Sequence, residues 1–188
     1  MNPLSIDDLK TLLGIPITDT SQDSVLKLTL EASWKFITNY CKRQFIKQEY
    51  SEIQIFPDKR RKYIILSEYP VITVNSVKVN EIELTSEDYL IDNRSGVITL
   101  LSFENSDDSL FTKVEVVYTA GYEDIKQELP DLYFAGLQLA ALRYYSFAHG
   151  RLGLKSVNAG GETINVLDMT EGIPHEIKLV LDIYKKSL

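Results

Sequence analysis

The spacing of apolar residues changes twice along the chain, and each change predicts a different kind of element. Apolar positions three and four residues apart run through residues 6–13 and 23–43, which predicts two amphipathic helices. From about Gln48 to Tyr118, short runs of β-branched and aromatic residues alternate with turn residues, which predicts about seven short strands. The helical spacing then returns. The pattern therefore predicts an α+β protein.

The first two helices have recognisable ends. Ser5 can cap the first helix, and Gly14 ends it. Lys42 and Arg43 lie in the last turn of the second helix, where they favour the helix dipole. Because the apolar stripe of this second helix is wide, we expect it to pack against two neighbours. Its members are Val25, Leu26, Leu28, Leu30, Ala32, Trp34, Phe36, Ile37 and Cys41.

The strand candidates form one β-rich region between two helical regions. We expect a small antiparallel β-subdomain inserted into a helical bundle, with residues 1–47, 48–118 and 119–188 as the three segments of one folding unit. The strand candidates are residues 53–55, 63–66, 77–79, 82–84, 89–91, 97–100 and 114–118.

A long apolar helix, predicted from Pro130 to Ala148, is the expected centre of the fold. Its apolar residues fall on almost every side of the helical wheel, so we expect it to be enclosed by partners. Pro130 suits the first helical turn, and Asp131 complements the positive end of the helix dipole.

Two further elements are predicted after this helix. Residues 155–158 and 162–166 flank a glycine turn and predict a β-hairpin. A lone hairpin is only marginally stable in water, so either its own chain or a neighbour completes it. A terminal helix follows Ile173, with Lys185 and Lys186 at its negative end.

Composition and charge exclude several classes of protein. Hydrophobic residues at 44% and charged ones at 25% are ordinary globular values. No apolar run approaches the roughly 18 residues of a membrane span, and residues 1–15 lack the features of a signal peptide. The net charge of −7 argues against a protein that grips nucleic acid phosphates; it suits a surface that DNA passes, but a plain solvated surface is the simpler explanation. We expect a soluble protein that stays where it is made.

Few side chains are candidates for chemistry. Cys41 lies on an apolar stripe, which favours burial over a reactive thiolate. His149, at the end of the long helix, could act as a base, although such a residue is common at a helix C-terminus. His175 is expected at the surface. The single cysteine excludes an internal disulfide and a multi-cysteine metal site, and the presence of only two histidines argues against a His-rich zinc or iron site.

The remaining candidates for catalysis are acidic pairs and glycines. Adjacent carboxylates do not converge on one point, so they are expected to be solvated turns and helix starts. The chain has no phosphate-binding glycine motif, no nucleophile elbow and no zinc-protease motif. We therefore expect no enzyme, no cofactor and no metal. The acidic pairs are Asp7-Asp8, Glu87-Asp88, Asp107-Asp108 and Glu123-Asp124.

Six segments in a fixed order carry a family resemblance over nearly the whole chain. They are Leu4 to Lys10, Ile37 to Phe45, Tyr69 to Val77, Asp88-Tyr89 with Gly96, Val117 to Tyr122, and the helix opened by Ile173-Pro174. This order resembles the head-to-tail connector proteins of tailed bacteriophages, also called adaptor or head completion proteins. The sequence departs from the smallest, mostly helical members by about 70 residues of β-rich insertion.

The resemblance implies a structural protein and not an enzyme. Connectors of this family form a ring of about twelve copies under the portal, continue the DNA channel and provide a docking surface for stopper or tail proteins. A closed ring requires a heterologous interface. DNA would pass without sequence-specific binding, no membrane would be involved, and the protein would lie at the head-tail interface of the virion after synthesis in the host bacterial cytoplasm.

Two segments are the expected contact sites. We expect the terminal helix and its approach to contact the portal through Ile173, Pro174, Ile177, Leu181, Tyr184, Lys185 and Lys186. We expect the hairpin to contact an adjacent subunit or to face the channel through Ser156, Asn158, Gly160, Gly161, Glu162 and Thr163. The β-subdomain would then lie on the outer or tail-facing side.

Two alternatives stay open on the sequence. One is a tail-completion or neck protein that acts one layer lower, which its binding partner would distinguish. The other is a ligand-binding module, for instance for carbohydrate, on an oligomeric helical base. The second alternative requires that Tyr50, Tyr63, Tyr69 and Tyr89 be exposed in one cleft.

Overall fold

The fold combines helices with antiparallel sheets, as the α+β prediction expects. The computed structural model describes residues 2–57, 62–101, 111–148, 156–159, 162–165, 169–170 and 173–186. The chain forms two compact units: a helical unit of Met1–Arg43 and Asp124–Leu188, and a β unit of Gln44–Glu123. The predicted fold class is therefore confirmed.

The helical unit is built around the long apolar helix that begins at Pro130. Its helices are α1 (Ile6–Leu13), α2 (Asp23–Cys41), α3 (Ile125–Glu128), α4 (Pro130–Ala148) and α5 (His175–Tyr184). Helix α4 packs against each of the other four. Gly136 of α4 permits a close approach, because a Cβ at this position would lie 3.0 Å from Leu4 Cδ2 and 3.3 Å from Ile37 Cδ1.

The helix ends follow the local signals in the sequence. Ser5 Oγ accepts a hydrogen bond from Asp8 N, and Gly14 ends α1 in the left-handed conformation with φ 70°. Lys42 adopts the same conformation and ends α2 before Arg43, slightly earlier than predicted. Asp124 caps α3 by accepting hydrogen bonds from the backbone of residues 126 and 127.

Two expectations about helix burial are wrong in part. Helix α4 is not enclosed on all sides, since Phe134 in its first third and Tyr145 and Phe147 in its last third are exposed. In α2, Leu28 was expected on the buried stripe but is 66% exposed. The buried face of α2 is narrower than the apolar pattern predicts because Leu26, Leu30, Trp34, Ile37 and Cys41 already fill the contacts with α4 and α5.

The β unit consists of two small antiparallel sheets over a shared apolar core. One sheet has the strand order β1-β7-β3-β4 and the other has β2-β6-β5. The inner side chains of both sheets form one buried cluster that includes Ile64, Val77, Ile98 and Val116. The strands are β1 (Gln48–Phe56), β2 (Tyr63–Ile65), β3 (Val71–Val79), β4 (Ile82–Glu83), β5 (Tyr89–Asp92), β6 (Val97–Leu100) and β7 (Thr112–Ala120).

Two tight places shape the β unit. Asn80 (φ 47°) and Glu81 (φ 69°) form the turn of the β3–β4 hairpin, as a two-residue turn with positive φ requires. Gly121 has φ 108°, and a Cβ there would lie 2.8 Å from the carbonyl of Ile46. Only glycine fits this position, where Tyr122 N donates to Phe45 O at 2.7 Å.

Strand β1 places its polar side chains inward. Ile53 and Ile55 are exposed, whereas Glu52 and Gln54 are half-buried. Glu52 accepts hydrogen bonds from Ser67 N and from the hydroxyl of fully buried Tyr118, and Gln54 Nε2 donates to Ile65 O at 2.8 Å. Burial, followed by the hydrogen bond to Glu52, raises the pKa of Tyr118. These bonds join β1 to the chain around β2.

The segment between α4 and α5 contains the predicted hairpin. Strand β8 (Ser156–Ala159) pairs antiparallel with β9 (Glu162–Asn165). Within the described residues, these two strands pair only with each other. Strand β10 (Met169–Thr170) pairs with β11 (Ile173–Pro174), which leads directly into α5.

Candidate interaction surfaces

The single cysteine is a structural residue. Cys41 is fully buried, and its Sγ lies 3.6 Å from the Leu181 carbonyl oxygen of α5. Burial, the largest influence, raises the pKa of this thiol to about 12. Because the thiolate is the nucleophilic form, Cys41 is unreactive near neutral pH. The predicted burial of this residue is confirmed.

The structure describes one of the two histidines. His175 is exposed at the first position of α5, as predicted. His149 lies outside the described residues. In the part of the chain that the structure describes, no three His, Cys, Asp or Glu side chains come together to hold a metal ion. The helices described there also include none that is long and apolar enough to cross a membrane.

The acidic pairs bind their own chain. Asp88 accepts hydrogen bonds from the backbone and hydroxyl of Thr85, and Glu123 lies 2.9 Å from Lys47 Nζ. Asp124 caps a helix, as described above. Asp107-Asp108 lies outside the described residues. The pairs that are described serve turns and helix starts, as the sequence predicts.

A polar cluster joins α1, α3 and α4. Lys126 Nζ and the Tyr133 hydroxyl each lie 2.6 Å from Asp8 Oδ2, and Ser5 N donates to the same hydroxyl at 3.1 Å. The hydrogen bond from Lys126, then that from Tyr133, lowers the pKa of Asp8. Burial and the hydrogen bond to Asp8 raise the pKa of Tyr133 to about 12. All of these hydrogen bonds are made within the chain, so the cluster holds α1, α3 and α4 in position.

The apolar residues predicted to contact the portal lie inside the helical unit. Ile173, Ile177 and Leu181 are all buried, and they attach α5 to the rest of the unit. Pro174 is half-buried at the start of the helix. A partner that meets α5 on this chain as it is folded would therefore contact the opposite face of the helix.

The polar residues predicted for the same contact also bind within the unit. The Tyr184 hydroxyl donates to Asp131 Oδ1 at 2.6 Å, and Lys186 N donates to Cys41 O at 2.9 Å. Lys185 Nζ lies 4.9 Å from the centroid of the Tyr40 ring. These contacts fasten α5 to α2 and α4, while the Lys185 side chain stays exposed.

The outward face of α5 carries two apolar residues that the sequence analysis did not single out. Leu179 is 55% exposed and Ile183 is 74% exposed. Residues four apart on a helix are neighbours, so these two side chains form one small apolar strip. The available signal was an apolar pair at this spacing among the polar residues His175, Glu176 and Asp182.

The hairpin residues are partly described. In β8 and β9, Ser156 pairs with Asn165, and Asn158 pairs with Thr163. Glu162 pairs with Ala159 next to the turn. Gly160 and Gly161 lie outside the described residues.

The four tyrosines of the carbohydrate-binding alternative do not share one surface. Tyr63 is exposed and pairs with Thr99, whereas Tyr89 pairs with inward-facing Leu100. Side chains directly opposite each other in a sheet share a face, so Tyr63 and Tyr89 lie on opposite faces of their sheet. Tyr50 stacks on buried Tyr118 at a ring distance of 5.5 Å.

A comparison with protein families decides the family. The sequence profile of the head completion protein family matches residues 3–187. The chain belongs to the head completion protein family. This confirms the resemblance to phage head-to-tail connectors, and it supports a structural role over an enzymatic one.

Solved structures with the same fold come from the necks and virions of gene transfer agent particles. A chain of the native gene transfer agent virion matches with TM-score 0.63 and 18% identity, over 99% of this chain and 91% of that one. A chain in the neck of the empty particle, computed with C6 symmetry, matches with TM-score 0.58, 18% identity and the same coverage.

A third chain, in the neck of the native particle computed with C12 symmetry, matches with TM-score 0.58 and 16% identity, over 99% of this chain and 90% of that one. At these identities the likeness shows a shared fold. No curated protein matches the chain.

Proposed function

We propose that this head completion protein is a structural connector of the phage neck. About twelve copies assemble into a ring under the portal, continue the DNA channel and offer a floor to stopper or tail proteins. The protein acts in the virion at the head-tail interface, after synthesis in the host cytoplasm. The observation that carries the proposal is the family match over residues 3–187.

Three further observations support the connector role. The solved structures that share the fold belong to neck and virion particles, two of them computed with sixfold or twelvefold symmetry. Among the described candidates for chemistry, Cys41 is buried, Asp88 is hydrogen-bonded to Thr85, and Asp124 caps α3. The net charge of −7 suits a conduit that DNA traverses without being held.

We propose that α5 contacts the portal through its outward face. The strip of Leu179 and Ile183, beside the exposed amine of Lys185, is the part of the terminal helix available to a partner. The residues originally predicted for this contact, from Ile173 to Lys186, hold the helix in place for it. The hairpin β8–β9 remains the proposed contact with an adjacent subunit or the channel, since a lone two-stranded sheet gains stability from a neighbour.

The test is co-sedimentation with the purified portal oligomer from the same phage. We expect about one copy bound per portal subunit, as closed cyclic symmetry requires. Leu179→Ser combined with Ile183→Ser should weaken binding at least about tenfold, because the variant loses an apolar contact without disturbing the buried face of α5. Removing α5 entirely is a poor test, because it would expose the core contacts of Ile177 and Leu181.

The matched control is Ile65→Ser combined with Leu90→Ser. These residues are exposed to a similar degree and lie in the β unit. Binding by the control variant should equal that of the wild type. Full binding by the α5 variant would refute the α5 contact, and no binding by the wild type would refute portal attachment itself. Binding to a tail terminator or stopper without the portal would favour the alternative of a neck protein one layer lower.

A further inference from the structure

The outward face of α2 is an exposed helix surface with its own charge pattern. Seven residues of α2 form one exposed stripe, and Lys42 at the C-cap extends it. Leu28, in the N-terminal half of α2, is 66% exposed. The stripe consists of Ser24, Lys27, Leu28, Glu31, Ala32, Lys35, Asn39 and Lys42.

This face is basic on an acidic protein. It carries Lys27, Lys35 and Lys42 against Glu31, a net charge of +2, whereas the whole chain has a net charge of −7. The ion pairs found within the described residues involve none of these three lysines. The face therefore combines unneutralised cations with a large exposed aliphatic side chain.

The β3–β4 hairpin and the chain that follows it have the opposite character. Residues 78–88 contain one lysine against four acidic residues, a net charge of −3. Glu81 and Glu87 are exposed, and Ile82 between them is 63% exposed. Lys78 lies opposite Glu83 in the pairing of the two strands, which leaves Glu81, Glu87 and Asp88 as the excess negative charge of this segment. Asp88 is hydrogen-bonded to Thr85, so Glu81 and Glu87 are the acidic residues considered for the contact. The β unit as a whole has eight Lys and Arg against fourteen Asp and Glu, whereas the helical unit has twelve against thirteen.

The two surfaces match in charge and in apolar content. Each presents one exposed aliphatic side chain, Leu28 or Ile82, flanked by charges, and the flanking charges have opposite signs. We propose that the outward face of α2 is a docking site for the β3–β4 hairpin of a second copy of this chain. Leu28 and Ile82 meet in the centre of the contact, and Lys27 and Lys35 face Glu81 and Glu87 beside it.

Such a contact is heterologous, because it joins two different surfaces of identical chains. A heterologous contact that closes on itself generates a ring, which is the assembly of the proposed function on which this inference rests. It would also give the β-rich insertion a role in assembly. DNA is the other candidate for a basic face, but a net charge of +2 is small for phosphate binding, and Leu28 has no use in it.

The experiment measures the mass of the purified full-length chain by sedimentation over a range of concentrations and at low and high salt. Three variants are compared with the wild type: Lys27→Glu/Lys35→Glu, Glu81→Lys/Glu87→Lys, and a chain with all four substitutions. Each double variant places like charges in the contact, so the concentration for half-association should rise at least about tenfold. The fourfold variant exchanges the signs and should associate like the wild type.

A mixture gives the sharpest result. In an equimolar mixture of the two double variants, the acidic α2 face of one chain meets the basic hairpin of the other, and the unaltered surfaces also match. The mixture should therefore assemble although neither variant assembles alone. The matched control for Lys27→Glu/Lys35→Glu is Lys62→Glu/Arg94→Glu, which lowers the net charge by the same amount at exposed positions outside both surfaces and should associate normally.

Every outcome bears on the inference. Unchanged association of both double variants, or no recovery in the fourfold variant and the mixture, would overturn it while leaving portal binding intact. A wild type that stays monomeric up to about millimolar concentration would also overturn it, whereas the proposed function is judged separately by portal co-sedimentation. Loss of duplex-DNA binding in the α2 variant, with association unchanged, would assign the face to DNA instead.

Discussion

The helical unit and the β unit use charged side chains differently. In the helical unit, Lys10 is only 2% exposed and its Nζ lies 2.6 Å from Asp23 Oδ1, so this pair ties α1 to α2 largely out of water. In the β unit, the Lys113–Glu115 pair is about one-third exposed on both sides and lies on one strand. Removing one partner of a buried pair is costly, whereas exposed pairs contribute little. Breaking the Lys10–Asp23 pair should therefore destabilise the protein more than breaking the Lys113–Glu115 pair.

The largest losses of stability should come from substitutions in the apolar cores. Each unit has its own core, so such substitutions distinguish the two units most clearly. Ile37 in α2 and Ile98 in β6 are both completely buried. Ile37→Ala and Ile98→Ala should each lower the free energy of unfolding by about 2–5 kcal/mol through lost contacts and a cavity. Trp34, the only tryptophan, lies in the helical unit, so its fluorescence during urea unfolding reports on that unit.

We expect Ile37→Ala to shift the Trp34 transition more than Ile98→Ala does. Far-ultraviolet circular dichroism on the same samples records the loss of both helices and strands. Equal shifts of the Trp34 transition would contradict the expectation and would indicate that the two units unfold as one cooperative system.

The next effect should come from the buried ion pair. Lys10→Met leaves Asp23 without its cation, and because Asp23 is 26% exposed we expect a loss of about 1–3 kcal/mol, less than for a fully buried charge. Lys10 Nζ also donates to Ile17 O at 3.2 Å, which adds to the loss. Urea denaturation measures the change. The double variant Lys10→Met/Asp23→Leu should recover part of the lost free energy of unfolding, because it also removes the unpaired carboxylate. If the double variant is less stable than Lys10→Met, the unpaired charge of Asp23 is not the cause of the loss.

A smaller, pH-dependent effect should arise at Asp8. Since its pKa in the folded protein lies below the ordinary value of 3.8, its contribution is fully present above that pH and is lost as pH falls through the lower folded value. Asp8→Asn should cost about 1 kcal/mol near neutral pH and should flatten the acid limb of the stability curve. Thermal melts from neutral pH to below pH 4 measure this. An unchanged acid limb in the variant would show that Asp8 is not the group responsible.

The smallest effect should come from the exposed pair in β7. Lys113→Ala removes the partner 2.5 Å from Glu115, and the urea midpoint should stay indistinguishable from that of the wild type. The same urea titration used for Lys10→Met provides the comparison under identical conditions. A cost as large as that of Lys10→Met would remove the contrast between the two units.

Local signals in the sequence predicted most of the elements. The Ser5 cap and Gly14 end of α1 depend on residues within one helix, and the turn at Asn80-Glu81 depends on neighbouring residues, so the sequence contains what is needed to place them. The burial of Cys41 followed from its place on an apolar stripe. The family was predicted from the order of such segments.

Which face of β1 is buried could not be predicted from the residues of the strand itself. Alternation indicates a strand, but apolar Ile53 and Ile55 would ordinarily take the buried face. The structure reverses this because Ser67 and Tyr118 offer hydrogen bonds to the inward side chain of Glu52. Those partners are distant in sequence, so the deciding interaction is invisible in the local pattern.

The exposed apolar face of α5 could not be predicted for a related reason. This helix has apolar residues on two faces, and the sequence alone does not tell which face packs inward. The packing follows from contacts with α2 and α4, such as the hydrogen bond from Tyr184 to Asp131. The helical periodicity therefore predicts the helix and its buried residues, but it does not show that Leu179 and Ile183 are exposed on the other face.

The burial of Cys41 makes the native chain behave towards thiol reagents as though it contained no cysteine. A thiol with a pKa of about 12 and no exposure should not react with maleimides at neutral pH. A cysteine introduced at exposed Lys62 or Arg94, outside the proposed contacts, can therefore carry a fluorophore or spin label without replacement of Cys41. Distances between labels on different copies would then report on assembly, while Cys41 and the core around it stay unchanged.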